Sequence, residues 1–210
     1  MKQVTSNPMI IQRAIIRYPH CHTPHSFNAS KNDGDAEDAK YSAKLYVEQN
    51  HIAELAKAVK QCAIDAFGTT GTGIAMPLHP VSEDGKDAAI EQLKNMYYVN
   101  VKSSKLYPPR VVDINRQPVK EEDLNSGNIV AAIVRPYPWE SRFGKGVSVG
   151  LNGILKLEEG TPFVDNYDSM YDEIDEKIIE QAKQADRERQ NEALKSMNNP
   201  VGELSDFLNS

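Results

Sequence analysis

Between residues 97 and 157 the chain is cut into apolar segments that are too short and too β-branched to be helices. Pro108-Pro109, Ser126-Gly127 and Gly144-Lys145-Gly146 punctuate them. The spacing predicts strands over about 96–103, 110–114, 128–136 and 146–157, and a chain of such strands can bury its apolar faces only as a small antiparallel barrel or sandwich. Residues 130–134 are apolar on both faces, which predicts a central, covered strand.

Upstream, the isoleucine-rich segment 9–18 reads as a first strand, and the polar stretch 19–39 as a long loop carrying Cys21. Residues 40–47 alternate: Tyr41, Ala43, Leu45 and Val47 share one face, and Lys40, Ser42, Lys44 and Tyr46 the other. Asn50 is placed to cap a helix over 51–67, whose Ile52, Leu55, Val59, Cys62 or Ala63, and Ala66 recur at helical spacing before Gly68 stops it. Residues 69–87 read as loop and 88–94 as a short helical turn. After residue 163 an acidic run begins. Tyr171, Ile174, Ile178, Ala182 and Ala185 give it an amphipathic helical stripe, ended by Asn198-Asn199-Pro200. The expected organisation is a body of residues 1–163 and an acidic helical or disordered tail of residues 164–210.

Charge divides along the same line. The 24 basic and 30 acidic side chains give a net charge of −6, but residues 164–210 hold 12 acidic against 5 basic groups, whereas residues 94–156 hold 10 basic against 5 acidic. The acidic total therefore conceals a basic region suited to a polyanion. Two cysteines cannot form a disulfide framework for 210 residues, which points to a reducing compartment. The amino terminus lacks the apolar core of a signal peptide and no apolar run reaches membrane-spanning length, so a cytoplasmic protein with no membrane partner is expected.

Motifs for catalysis are weak. His20, Cys21, His22 and His25 are metal-ligand types, yet no second ligand pair follows; a solvated loop is expected and no metal is assigned. Asp33, Asp35, Glu37 and Asp38 resemble a calcium loop, but Asp38 stands where the glycine belongs and Lys44 where the closing glutamate belongs. Gly68, Gly71 and Gly73 lack the lysine of a phosphate-binding loop. Nothing argues for an enzyme or a cofactor. The remaining signal is distributed: Lys40, Lys44 and Tyr46 on one strand face, Tyr98 and Lys102 on another, with Lys105, Tyr107, Arg110, Arg135, Tyr137, Trp139, Arg142, Phe143 and Lys145 near strand ends and loops. Cations for phosphates and rings for bases are the mixture used by sequence-tolerant single-strand binders.

Five pieces in order, Lys40-Tyr41-Ser42-Ala43-Lys44-Leu45, Val101-Lys102-Ser103, Pro108-Pro109-Arg110-Val111-Val112-Asp113, Ser126-Gly127 and Lys145-Gly146-Val147-Ser148-Val149-Gly150-Leu151-Asn152, together with Gly160 and Phe163, resemble the phage-encoded single-stranded DNA-binding proteins with an OB fold, formerly a domain of unknown function. The likeness covers most of residues 9–163. It implies a mainly β protein, a five-stranded OB barrel with an inserted helix, whose groove holds single-stranded DNA in phage replication, recombination or repair. It also implies an acidic tail that recruits replication or recombination proteins, here through Asp206, Phe207 and Leu208. The chain differs in having an acidic loop after the first strand and a tail that ends after the aromatic residue rather than on it. Two other readings stay open: an interaction module working through its acidic helix, and a metal-dependent nuclease using Asp33, Asp35, Asp38 and the histidine loop. A homodimer is compatible with each.

Overall fold

The computed structural model describes residues 6–26, 38–163 and 176–197. The chain forms two compact units, residues 1–163 and 164–210.

The first unit is built from β1 (Met9–His25), β2 (Lys40–Glu48), α1 (Gln49–Phe67), β3 (Ile74–Ala75), β4 (Leu78–Pro80), β5 (Met96–Ser104), β6 (Arg110–Val112), β7 (Ile129–Ser141) and β8 (Gly144–Glu158). Five of these strands close on themselves. β1 pairs antiparallel with β2, β2 with β5, β7 with β8 and β7 with β1, while β5 and β8 meet in parallel at Val101↔Val149 and Lys102↔Gly150. This closed five-stranded barrel is the OB arrangement, and closure leaves its main strands no free edge.

Alternation fills the barrel. Ala43, Leu45 and Val47 of β2, Val99 and Val101 of β5, Val130, Ala132 and Val134 of β7, and Val147, Val149 and Leu151 of β8 all point into one core. Helix α1 joins that core with Ile52, Leu55, Val59, Cys62 and Ala63, and Gly68 ends it in the left-handed conformation (φ 72°), donating its N–H to the Ile64 carbonyl.

Strand pairing overrides local composition at several points. β1 does not end at Tyr18 but runs to His25, because its polar half pairs with β2 at His20↔Ser42 and His25↔Lys40; backbone hydrogen bonds need no apolar side chain. The strand is irregular there, and Tyr18 has a positive φ of 51°. Cys21 is therefore buried on a strand rather than carried on a loop. Helix α1 begins at Gln49, with Glu48 at its N-cap and no side-chain cap, so Asn50 lies within the first turn. In β7, Ile133 is 45% exposed, so the predicted covered strand is open on its outer face there.

The segment 69–87 is not all loop: it supplies β3 and β4, and then, with the residues up to Leu93, a strap of three short 3-10 turns (Val81–Glu83, Gly85–Ala89 and Glu91–Leu93). Val81 and Leu93 of the strap pack with Tyr46 and Met96 into a second, smaller core. The Ser126-Gly127 turn latches onto β1. Tyr18 donates its N–H to Ser126 Oγ (3.0 Å) and Gly127 donates its own to the Ile16 carbonyl (2.8 Å). Gly127 has a φ of 102°, and a Cβ there would run into the Thr161 carbonyl, so only glycine fits.

In the second unit, α2 spans Glu176–Met197 with Ile178 and Leu194 exposed. Tyr171, Ile174 and the Asn198-Asn199-Pro200 stop lie outside the described residues. Among the described residues no helix is long and apolar enough to cross a membrane.

Candidate nucleic-acid interface

The ladders set three rows of side chains across one outer face of the barrel. The first runs Ile15, Tyr46, Tyr98, His79; the second Arg17, Lys44, Asn100; the third His20, Ser42, Lys102, Gly150, Arg135. Strand β8 presents Gly146, Ser148 and Gly150 to this face, opposite Trp139, Tyr137 and Arg135 of β7. With glycine beneath them the rings can lie against the sheet: a Cβ on Gly150 would meet the Arg135 carbonyl at 3.3 Å and the Tyr137 ring at 3.7 Å, and one on Gly146 would collide with the Ala75 carbonyl of β3 at 2.5 Å and press on Trp139.

Two adjoining depressions follow from this layout. One, of about 530 Å³, is lined by Tyr18, His20, Ser42, Lys44, Asn100 and Lys102; the other, of about 220 Å³, by His79, Asn100, Lys102, Tyr137, Trp139 and Ser148. Because Asn100 and Lys102 border both, they form a single groove. Exposed Lys102 stands at its centre. Arg135 flanks it with a buried Nε that has no hydrogen-bond partner among the described residues, and Tyr137 is 40% exposed. An open ring beside cations over a smooth floor can stack a base while its phosphate is neutralised.

Several expected contacts take other roles. Lys44 and Tyr46 do share the groove face, but the strap covers their end of it. Tyr46 is fully buried, and its hydroxyl donates to Asp84 (3.1 Å) and to Asp87; burial first and then the Asp87 carboxylate push its ionisation far above the usual tyrosine range. It cannot stack on a base. Lys44 donates to Asp84 (2.8 Å) and Asp87 (3.3 Å); burial pulls its pKa down, but the two carboxylates outweigh that and raise it. Arg17, 5% exposed, pairs with Asp87 at 3.2 Å and lies 4.6 Å from the Phe163 ring centroid. Tyr98 is half-buried between the ring of His79 (5.3 Å) and the ammonium of Lys44 (4.9 Å).

Lys145 falls on the opposite face from Gly146, its ammonium 5.3 Å from the Phe67 ring of α1, so alternation takes it out of the groove. Arg110 lines a separate, apolar depression with Ile10, Arg116 and Ile133. Lys40 is exposed at the start of β2 opposite Ser104, and the following turn carries Lys105 and the 73% exposed Tyr107 near that end. Arg142 and Phe143 form the β7–β8 hairpin tip, with the guanidinium 4.5 Å over a ring that is 85% exposed. Asp206, Phe207 and Leu208 lie outside the described residues.

The groove also contains residues that sequence reasoning missed. His20 lies beyond the expected end of β1 at Tyr18, and His79 sits on a strand of only three residues; Tyr18 falls inside the expected strand, with no local pattern to mark it as a contact. Asn100 could have been found: it is the middle residue of the Tyr98, Asn100, Lys102 alternation.

The histidine segment is structural in geometry. His20 and His25 stack at 4.4 Å, His22 Nε2 lies 2.8 Å from the Val119 carbonyl, and the Cys21 thiol is pushed up to about 12 by burial and then by Glu121. Among the described residues no three His, Cys, Asp or Glu side chains come together as a metal site. Asp33, Asp35 and Glu37 lie outside the described residues, and Asp38 accepts a hydrogen bond from Ser26 (2.8 Å).

A family model described as the ssDNA-binding protein of Enterobacter phage Enc34 matches residues 7–198. The chain belongs to that family. Solved members of the fold are similar in shape and remote in sequence. The single-stranded DNA-binding protein from bacteriophage Enc34 in complex with ssDNA superposes with a TM-score of 0.59 at 16% identity, covering 78% of this chain and 99% of that one. Another structure of the single-stranded DNA-binding protein from bacteriophage Enc34 gives 0.58 at 16%, covering 83% and 100%. Gp2.5, a single-stranded DNA binding protein encoded by bacteriophage T7, gives 0.56 at 14%, covering 81% and 96%. No curated protein matches the sequence.

Proposed function

We propose that this protein binds single-stranded DNA without sequence preference and serves phage DNA replication inside the infected cell. The observation that carries the reading is the groove in which Lys102 and Arg135 flank Tyr137 and Trp139 over a floor of Gly146, Ser148 and Gly150. Binding here is stacking plus phosphate neutralisation. Each stacked base contributes about 1–3 kcal/mol, and each neutralised phosphate adds about −0.7 to the log-log salt slope. None of the residues that line the groove belongs to a helix, so tolerance of sequence follows from the chemistry present. The Lys40, Lys105 and Tyr107 end and the Arg142-Phe143 tip extend the path beyond the groove. Family membership supports the single-stranded DNA reading; a non-catalytic part in recombination or repair, and recruitment of replication proteins by the acidic segment containing Asp206, Phe207 and Leu208, belong to the same proposal.

Titrating labelled oligo-dT against the protein at several salt concentrations, with and without magnesium, tests this. Binding that weakens linearly on the log-log plot, leaves the oligonucleotide intact and exceeds binding to a duplex of equal length is expected. Absence of binding at low salt refutes it, and cleavage on adding magnesium would instead favour the nuclease.

A further inference from the structure

Two acids stand where a polyanion groove should not have them. Asp84 and Asp87 lie on the strap at the closed end of the groove, and by Coulomb's law each lowers affinity for DNA there. Their partners are specific. Lys44 Nζ is 2.8 Å from Asp84 and 3.3 Å from Asp87, Arg17 is 3.2 Å from Asp87, and the Tyr46 hydroxyl donates to both carboxylates. Among the described residues two cations and two acids meet in this nearly buried cluster.

The cluster borders the larger depression directly through Lys44, and it reaches the smaller one through a stack of rings. Lys44 Nζ is held 4.9 Å from the Tyr98 ring centroid, Tyr98 packs against His79 at 5.3 Å with 30° between the planes, and His79 lines the groove beside Tyr137 and Trp139. β4 and β5 pair at His79↔Tyr98, so backbone register already sets the two rings side by side. What register leaves undetermined is the ring orientation.

We propose that Asp84 and Asp87 are positioning residues, holding Lys44 against Tyr98 so that His79 presents a pre-oriented ring on which a nucleobase of the bound strand stacks. This rests on the single-stranded DNA reading and adds His79 to its contacts. A ring ordered before binding loses less conformational freedom on binding, so affinity rises without a new contact. Burial opposes the charge on Lys44, and the two carboxylates overcome it, so the ammonium persists beside the ring.

Coulombic and positioning roles predict opposite signs, and the full chain can decide between them. Affinities are measured for labelled oligo-dT and for an abasic phosphodiester of the same length, which presents charge without bases. For Asp84→Asn we expect dT binding to weaken by about threefold to tenfold while abasic binding is unchanged or tighter, as a negative charge has gone. For His79→Ala the dT-to-abasic ratio should fall by a similar factor with the melting temperature kept, and Asp84→Glu should restore most of the ratio. A general loss of stability below the melting point would leave that ratio alone. Asp84→Asn tightening both ligands equally, or His79→Ala keeping the wild-type ratio, overturns the proposal. Should Asp84→Asn fail to fold, the His79→Ala ratio decides. Absence of wild-type dT binding removes the single-stranded DNA reading itself, whereas wild-type binding with unaltered variant ratios overturns only the positioning role.

Discussion

Tyr137→Ala, compared with Lys102→Ala, separates the stacking part of the groove from its ionic part. The Tyr137 ring rests on the Gly150 floor and is 40% exposed, so one face is available and a single base can stack there. With about 1–3 kcal/mol per stacked base, and part of the ring already engaged with the sheet, the lower half of that range applies: a loss of about 1–2 kcal/mol, or about 5- to 30-fold in affinity. No charge is removed, so the salt slope should stay as it was. Lys102→Ala should instead flatten the slope by about 0.7, which over a fourfold change in salt makes the loss about 2.6 times larger at the low-salt end. Fluorescence anisotropy of labelled oligo-dT between roughly 50 and 200 mM salt, the range over which such slopes are commonly read, resolves both effects. A changed slope for Tyr137→Ala, or an unchanged one for Lys102→Ala, would mean that the strand does not run over β5, β8 and β7.

Two further perturbations test the fold that presents this groove. Gly127→Ala combines a φ of 102° with a collision against the Thr161 carbonyl, so it should cost about 2 kcal/mol or more and lower the melting temperature by several degrees, whereas Gly150→Ala, which has only a tight 3.3 Å approach to the Arg135 carbonyl to relieve, should lower it markedly less; equal melting temperatures would refute the close approach of the Ser126-Gly127 turn to Thr161. Burial raises the Cys21 thiol from 9.0 to about 12 and raises the Tyr46 hydroxyl as well, so the unfolded chain releases these protons at lower pH than the folded one; stability should be flat below about pH 9 and fall between there and pH 12, and Cys21 should resist alkylation near pH 8.5 until denaturant is added. Stability that holds or rises over that alkaline window would contradict the buried placement.

The sequence by itself determined those features that depend on neighbours along the chain. Period-two alternation in residues 40–47 assigned Ala43, Leu45 and Val47 to the core and put Lys44 and Tyr46 on the groove face, as the structure has them. The helical stripe and Gly68 bounded α1 at its C-terminus, and the break at Ser126-Gly127 separated β7 from the strand before it; Gly144-Lys145-Gly146, expected as a break, instead opens β8 and pairs with Ser141, Glu140 and Trp139 of a β7 that runs five residues past its expected end at 136. What the sequence could not determine was which segment comes to lie over which. The polar half of β1 became a strand because β2 offered it backbone partners, and ladder hydrogen bonds leave no side-chain signature. Tyr46 and Tyr98 carry the same residue type on paired strands, yet the strap buries one completely and leaves the other half-open. Lys145 and Lys102 are both basic strand residues, but one sits against Phe67 of α1 and the other at the centre of the groove. The groove itself exists only because β5 meets β8 in parallel, placing Lys102 beside Gly150 and, one strand further, Arg135. Alternation decides which way a side chain points; closure of the barrel decides what it finds there.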